Sequence, residues 1–428
     1  MPTICLNQLA TVEVQLIMHG LDIHSLFNLS KCNKYLRIVA AQAFAWKIAP
    51  PFRISTDRFS KMTQKLQSIP SKIPLMYMSL HLTVEDDCQK SKDDEVALSK
   101  IIMKYIQNNM RVTHITLDNC GVHSKTINDW TDVIKCNINM MYINFKNNNI
   151  RNQGAILLSE AIKFCKNLTS INLCSNDIGD EGAIALFNSI KNNNKYMTDV
   201  YIGDNLITKT GAIAIAEAVK FITSLKTLNF HSNEIEDEGV IALANAIKES
   251  RNITSIDFGN NLITEIGVAA VAEAIKSIKF MNNLKLDRNR IGNKGILIIA
   301  GLLSNLDIKI TNLNVSHNTF YRQTGMKTLA YSLRYNNSTQ SISLGRCNID
   351  NVGVNYLADA IRYNKGLTSL DLSRNNFGEL GISKLVDAIK INSHLTRIDL
   401  SWNADYQSAL QITDCLKHHK SLLTLKLV

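Results

Sequence analysis

Five residues late in the chain stand at near-equal intervals: Arg288, His317, Arg346, Arg374 and Trp402 lie 28 or 29 positions apart. Asp287, Asp371, Asp399 and Arg397 sit beside them. Arginine and tryptophan dominate binding energy where proteins meet. A row of guanidinium groups suits carboxylates or phosphates, which it engages through paired hydrogen bonds. The chemistry on offer is recognition of an anionic macromolecular surface. The competing reading is a solvated face whose Arg–Asp pairs carry little energy. Tyr142 and Tyr201 stand among smaller neutral residues on the same side of earlier strands, and Tyr201 joins the candidate contact set.

Residues for bond-making chemistry are missing from the sequence. There is no Gly-x-x-x-x-Gly-Lys-Ser/Thr loop, no His-Glu-x-x-His and no Gly-x-Ser-x-Gly. His418-His419 is an isolated pair on the expected last helix. The nine cysteines form no C-x-x-C pair and no close Cys/His set, so reduced thiols in a cytoplasmic setting are expected, not disulfides or zinc. No enzymatic activity, metal or cofactor is expected.

A periodic row needs periodic elements to carry it. The stretch LTSINLCSNDIGDEGAIALF at Leu168–Phe187 returns as LKTLNFHSNEIEDEGVIALANAIK at Leu225–Lys248. A fixed period of this size marks a stacked-repeat solenoid. Unit starts fall at Val112, Met140, Leu168, Met197, Leu225, Ile253, Met281, Ile310, Thr339, Leu367 and Leu395, with a shorter unit at Leu422. Apolar residues occupy positions one, four, six and eleven of each unit. Positions four and six share one face of a strand by its period of two. Position nine is asparagine in nine units and cysteine at Cys120 and Cys347. An asparagine amide stacked at that bend donates to one turn and accepts from the next. Nine glycines, from Gly154 to Gly381, precede the expected helices. The arginine row falls at position eight, just before the asparagine.

Net charge is +10, yet basic residues are spread out. A second basic column, including Lys163, Lys220 and Lys276, falls near expected helix C-termini with glutamates three residues earlier. It complements the helix dipoles and pairs within each helix. Aromatic interleaving for base stacking is absent, so no nucleic-acid partner is expected. No apolar run is long enough to span a bilayer, and no secretory leader is evident.

The unit length, the glycine and the Leu-Ala-x-Ala-Ile-Lys ending resemble the leucine-rich repeat, in its ribonuclease-inhibitor-like subclass. That resemblance implies an α/β solenoid, a horseshoe with parallel strands on the concave face and helices on the convex one. It covers residues 112–428, about three quarters of the chain. Ran GTPase-activating proteins share the subclass, which implies GTPase activation as an alternative; they usually carry a long acidic tail, whereas this sequence ends on Leu425, Leu427 and Val428.

Residues 1–52 differ in character. Their spaced leucines predict short helices, closed by Phe44, Trp46 and Pro50-Pro51. Glu13, Leu16-Ile17, Leu21-Asp22, Leu26, Leu29, Ser30, Cys32, Lys34, Leu36-Arg37 and Trp46 resemble an F-box, although Gln8-Leu9-Ala10 stands where the family has Leu-Pro. The resemblance implies that Glu13, Leu16, Ile17, Leu21, Asp22, Leu26, Leu29 and Trp46 bind a Skp-family adaptor. The chain would then be a substrate receptor of a cullin-RING (SCF-type) ubiquitin ligase, its target held on the concave face. The other reading of this segment is a helical cap over the open end of the array, leaving a stand-alone scaffold or inhibitor. Intracellular bacteria and large viruses use such proteins as effectors in a host cytoplasm, and that origin fits as well. Residues 53–111 are expected to hold a linker helix and a degenerate first repeat with a strand at Tyr77–Leu82. A monomer is expected for the protein alone.

Overall fold

The computed structural model describes residues 52–54, 78–84, 112–123, 126–250, 252–278, 280–320, 323–403 and 421–427. The chain divides into two compact units, Met1–Thr198 and Asp199–Val428. The proposed adaptor-binding residues, from Glu13 to Trp46, lie outside the described residues, as does any helical N-terminal module.

The first unit holds a parallel sheet of β1 (Phe52–Ile54), β2 (Met78–Val84), β3 (Val112–Asp118), β4 (Tyr142–Asn144) and β5 (Ser170–Asn172). Helices α1 (Ile127–Cys136), α2 (Arg151–Ile162) and α3 (Asp180–Asn193) follow β3, β4 and β5. The strand expected at Tyr77–Leu82 is β2. Strand β1 was not expected: Phe52–Ile54 falls where a linker helix was read, and it pairs in parallel with Leu82–Val84. Tandem proline just before it excludes a helical start with its full set of hydrogen bonds, and Phe-Arg-Ile alternates as a short strand does.

The second unit repeats the pattern with β6 (Asp199–Tyr201), β7 (Thr227–Asn229), β8 (Ser255–Asp257), β9 (Phe280–Lys285), β10 (Lys309–Asn314), β11 (Ser341–Ser343), β12 (Ser369–Asp371), β13 (Arg397–Asp399) and β14 (Thr424–Lys426). Each pairs in parallel with the next, almost always in unbroken register. Between them run α4 (Lys209–Val219), α5 (Glu236–Lys248), α6 (Glu265–Ile278), α7 (Gly292–Ser304), α8 (Gln323–Tyr335), α9 (Asn351–Tyr363) and α10 (Glu379–Ile391).

One layer of side chains forms the core of each repeat. Leu225 and Leu228, at positions one and four, are buried with Phe230 at position six and Ile235 at position eleven. From the helix, Val240, Leu243 and Ile247 close on them. These three follow the three-to-four-residue spacing of one helix face. Each repeat hides its apolar side only against its neighbours, so stability accrues by adjacent pairs.

The glycines sit inside the first helical turn and not ahead of it. Gly239 is the fourth residue of α5. A Cβ there would lie 2.8 Å from Cβ of Ala212 on α4, closer than carbon atoms approach. The residue is needed for helix-to-helix contact, since its backbone is not left-handed.

The asparagines line up inside the bends. Asn233 is buried; its Oδ1 accepts from Ile207 N–H at 3.0 Å, and its Nδ2 donates to the carbonyls of Ile202 and Phe230, both at 3.1 Å. Asn148, Asn289 and Asn375 do the same. The expectation of donating one way and accepting the other is thus modified. Donor and acceptor both reach the preceding repeat, and the donor also closes its own turn. At Cys347 the thiol donates to Val315 O at 3.4 Å, in the slot an amide fills elsewhere. A second series was missed. Asn194, Asn336, Asn364 and Asn392, just past the helices, donate to carbonyls of the preceding repeat.

Candidate functional site

Position eight is where the chain leaves the strand for the bend. Its φ is positive in every repeat from Asn119 to Trp402. In the first six it is Asn119, Asn147, Ser175, Asp204, Ser232 and Asn260, with φ between 51° and 57°. Asparagine and aspartate enter this left-handed region readily because their side chains hydrogen-bond locally. In the last five it is Arg288, His317, Arg346, Arg374 and Trp402, with φ of 54°, 54°, 53°, 54° and 63°. For the arginines and the tryptophan, Cβ crowds the following carbonyl, at about 1 kcal/mol each; histidine, like asparagine, is commoner in this region. The conformation is held by the ladder. Arg288 N–H donates to Ser316 O at 2.9 Å, His317 to Gly345 O at 2.7 Å, Arg346 to Ser373 O and Arg374 to Ser401 O, both at 2.8 Å.

The same ladder orders the side chains. Arg288, Arg346, Arg374 and Arg397 are exposed, His317 is half-exposed, and Trp402 keeps 66% of its surface in solvent. The Arg374 guanidinium carbon lies 4.8 Å from the centre of the Trp402 ring, within cation–π range. Burial, then the charges of Arg288, Arg346 and Arg374, lower the His317 pKa. The neutral imidazole is therefore favoured, with three guanidiniums sharing its surroundings.

The nearby acids do not neutralise the row. Asp371 accepts from Ser373 N–H at 2.9 Å, from Ser373 Oγ at 2.7 Å and from Ser343 Oγ at 2.6 Å. Asp399 accepts from Ser401 through both backbone and hydroxyl, and pairs with Lys426 at 3.5 Å. Asp287 accepts from Asn314 Nδ2 at 3.0 Å. Among the described residues, no ion pair forms from Arg288, Arg346, Arg374 or Arg397. The reading of the row as a set of Arg–Asp pairs therefore fails. Serine and backbone donors engage the half-buried Asp371 and Asp399.

Five of the seven predicted contact residues share this row, and Arg397 on β13 lies beside it. Tyr201 does not. It is half-buried on β6, with β7 and β8 between it and β9, about 14 Å away at the usual strand spacing. Sequence reasoning missed the left-handed backbone. The Asn, Ser and Asp choices at position eight of the early repeats were the available signal.

The second basic column pairs as expected. Lys163 contacts Glu160 at 2.5 Å, Lys220 contacts Glu217 at 2.6 Å, and Lys276 pairs with Glu273. Exposed pairs of this kind are worth little. No helix among the described residues is long and apolar enough to cross a membrane.

Comparison with known proteins agrees with the repeat geometry. The leucine-rich repeat family model matches residues 164–187, 222–244, 363–386 and 392–404. No curated protein matches the chain. Among solved structures, "Leiomodin-1 Actin-Binding Site 2 (ABS2)" is 22% identical over 32% of this chain and 78% of its own, with a TM-score of 0.29; a likeness that slight carries no argument. The matched stretches, the parallel strands and the alternating helices make this an α/β leucine-rich repeat solenoid.

Proposed function

We propose that the protein recognises an acidic or phosphorylated partner protein through the strand face of its second unit. Arg288, Arg346 and Arg374 supply the charge, and His317, Arg397 and Trp402 supply neighbouring contacts. The supporting observation is that Arg, His and Trp occupy a left-handed backbone position which Asn, Asp and Ser fill elsewhere. Strain retained against an available cheaper residue points to function. A fluorescent Asp/Glu-rich peptide and its phosphorylated counterpart, titrated by anisotropy, test the reading. Binding should weaken with added salt and fall at least tenfold in Arg288→Gln/Arg346→Gln/Arg374→Gln. Equal binding by that variant sinks it.

The F-box-like residues suggest what this recognition serves. A segment holding Glu13, Leu16, Ile17, Leu21, Asp22, Leu26, Leu29 and Trp46 would dock on a Skp-family adaptor, making the array a target receptor of an SCF-type ligase in the cytoplasm. Full-length protein should capture purified adaptor, and Leu16→Asp/Leu21→Asp should not. Failure of both to bind favours the scaffold reading with a capping N-terminus. GTP hydrolysis stimulated by the wild type, and lost in Arg288→Gln or Arg346→Gln, would favour the GTPase-activator reading instead.

A further inference from the structure

Three side chains from successive repeats of the second unit converge on one spot. His231 stands two residues after β7, Asp257 ends β8, and Asp287 stands two residues after β9. One nitrogen or oxygen from each lies within 4.8 Å of the other two. Both aspartates are only 8% exposed, and His231 is half-buried. His231 Nδ1 lies 3.5 Å from Asp257 Oδ1, close to the separation of two atoms sharing a small metal ion.

Gly259 gives an independent sign. A Cβ built there would stand 2.6 Å from His231 Nδ1 and 2.8 Å from Asp287 Oδ1. Its backbone is not left-handed, so the bend does not require glycine. The missing side chain leaves open the volume on which the two atoms converge.

Hydrogen bonds brace the carboxylates without using them up. Asp257 accepts from Gly259 N–H at 3.1 Å on Oδ1, and from Lys285 at 3.1 Å and Asn229 at 3.4 Å on Oδ2. Asp287 is held by Asn314. His231 and Asp287 still face each other across the glycine. Burial, with the Asp257 carboxylate, pushes the Asp287 carboxyl up, while the Asp257 hydrogen bond raises His231 against its burial.

We propose that His231, Asp257 and Asp287 bind Zn²⁺, or another first-row divalent cation, with further positions filled by water or by a partner's acid. One imidazole and two carboxylates are an accepted donor set for such ions. Three atoms no more than 4.8 Å apart lie at most about 2.8 Å from their common centre. Side-chain rotation of under about 1 Å brings them to the 2.0–2.2 Å of a Zn–N or Zn–O bond. The half-exposed histidine leaves the site open on one side. This inference does not depend on the anionic-partner reading, although a divalent cation would cancel the charge of the two carboxylates next to Arg288.

Full-length protein stripped with chelator and titrated with Zn²⁺ by calorimetry tests it. One equivalent should bind at this site. His231→Gln and Asp287→Asn should each weaken that event at least tenfold, with unchanged circular dichroism. Gly259→Ala removes no donor and should weaken it comparably. Lys285→Met frees the second Asp257 oxygen and should tighten it. Bound Co²⁺ should show ligand-field bands without a thiolate charge-transfer band. Unchanged Zn²⁺ affinity in His231→Gln and Asp287→Asn, or a thiolate band lost on replacing Cys136, overturns the proposal.

Discussion

Repeats from Val112 to Asn260 and those from Met281 to Trp402 share one backbone but use one position differently. In both groups position eight is left-handed and position nine is an amide, or a cysteine in its place, buried or half-buried in the bend. The earlier group fills position eight mostly with residues suited to that backbone, Asn119, Asn147, Asp204 and Asn260. The later group fills it with three arginines, a tryptophan and His317, of which only the histidine is common in that backbone. Position nine is set by the demands of buried peptide groups and does not vary with surface role. Position eight faces solvent and is where stability and recognition can be exchanged.

The comparison can be broken in several ways. The largest effect is expected at position nine in either group. Asn233→Ala or Asn289→Ala strands buried N–H and carbonyl groups, at about 1–3 kcal/mol each. Both should lower the urea midpoint by a similar, large amount; a silent substitution would refute the amide's role. Next comes recognition. Arg346→Ala/Arg374→Ala should reduce binding of an acidic peptide by at least tenfold, an interface hot-spot effect, whereas Ser175→Ala/Ser232→Ala should not change it. Smaller still is the strain itself. Arg346→Asn should stabilise the fold by up to about 1 kcal/mol, and Asn260→Arg should destabilise it by a similar amount. The same sign for both would remove the left-handed backbone from the explanation.

The smallest effect concerns pH. The His317 pKa is lowered in the folded state. Its contribution to stability is therefore present above the unfolded-state value, near 6.5, and is lost as pH falls through the folded value. An NMR titration should place His317 below ordinary histidines. Arg346→Gln, or a bound acidic peptide, should move it up.

Much of this fold was readable from the sequence because its physics is local and repeated. The spacing of Leu225, Leu228 and Phe230 fixes which strand face is inward, and Asn233 marks the bend that follows. The arginine row was also legible as a period. Its unpaired state was not, because that depends on Ser343, Ser373 and Ser401 claiming the aspartates, a contest between neighbours several ångströms apart. The distance of Tyr201 from the row was not legible either, since a shared strand face does not make two residues near. The convergence of His231 and Asp287 went unseen because an intervening repeat separates them, and only Gly259 closes that gap.

The amide of Asn233 reaches Ile202 and Ile207 and no repeat further back. Asn261, Asn289, Asn318, Asn375 and Asn403 likewise reach the repeat before their own, so within the second unit successive repeats are latched by separate clasps. Tension applied from the C-terminal side should release such a chain in steps of one repeat, drawn as a sawtooth, with the tallest teeth where the clasp is asparagine and a shorter one at Cys347.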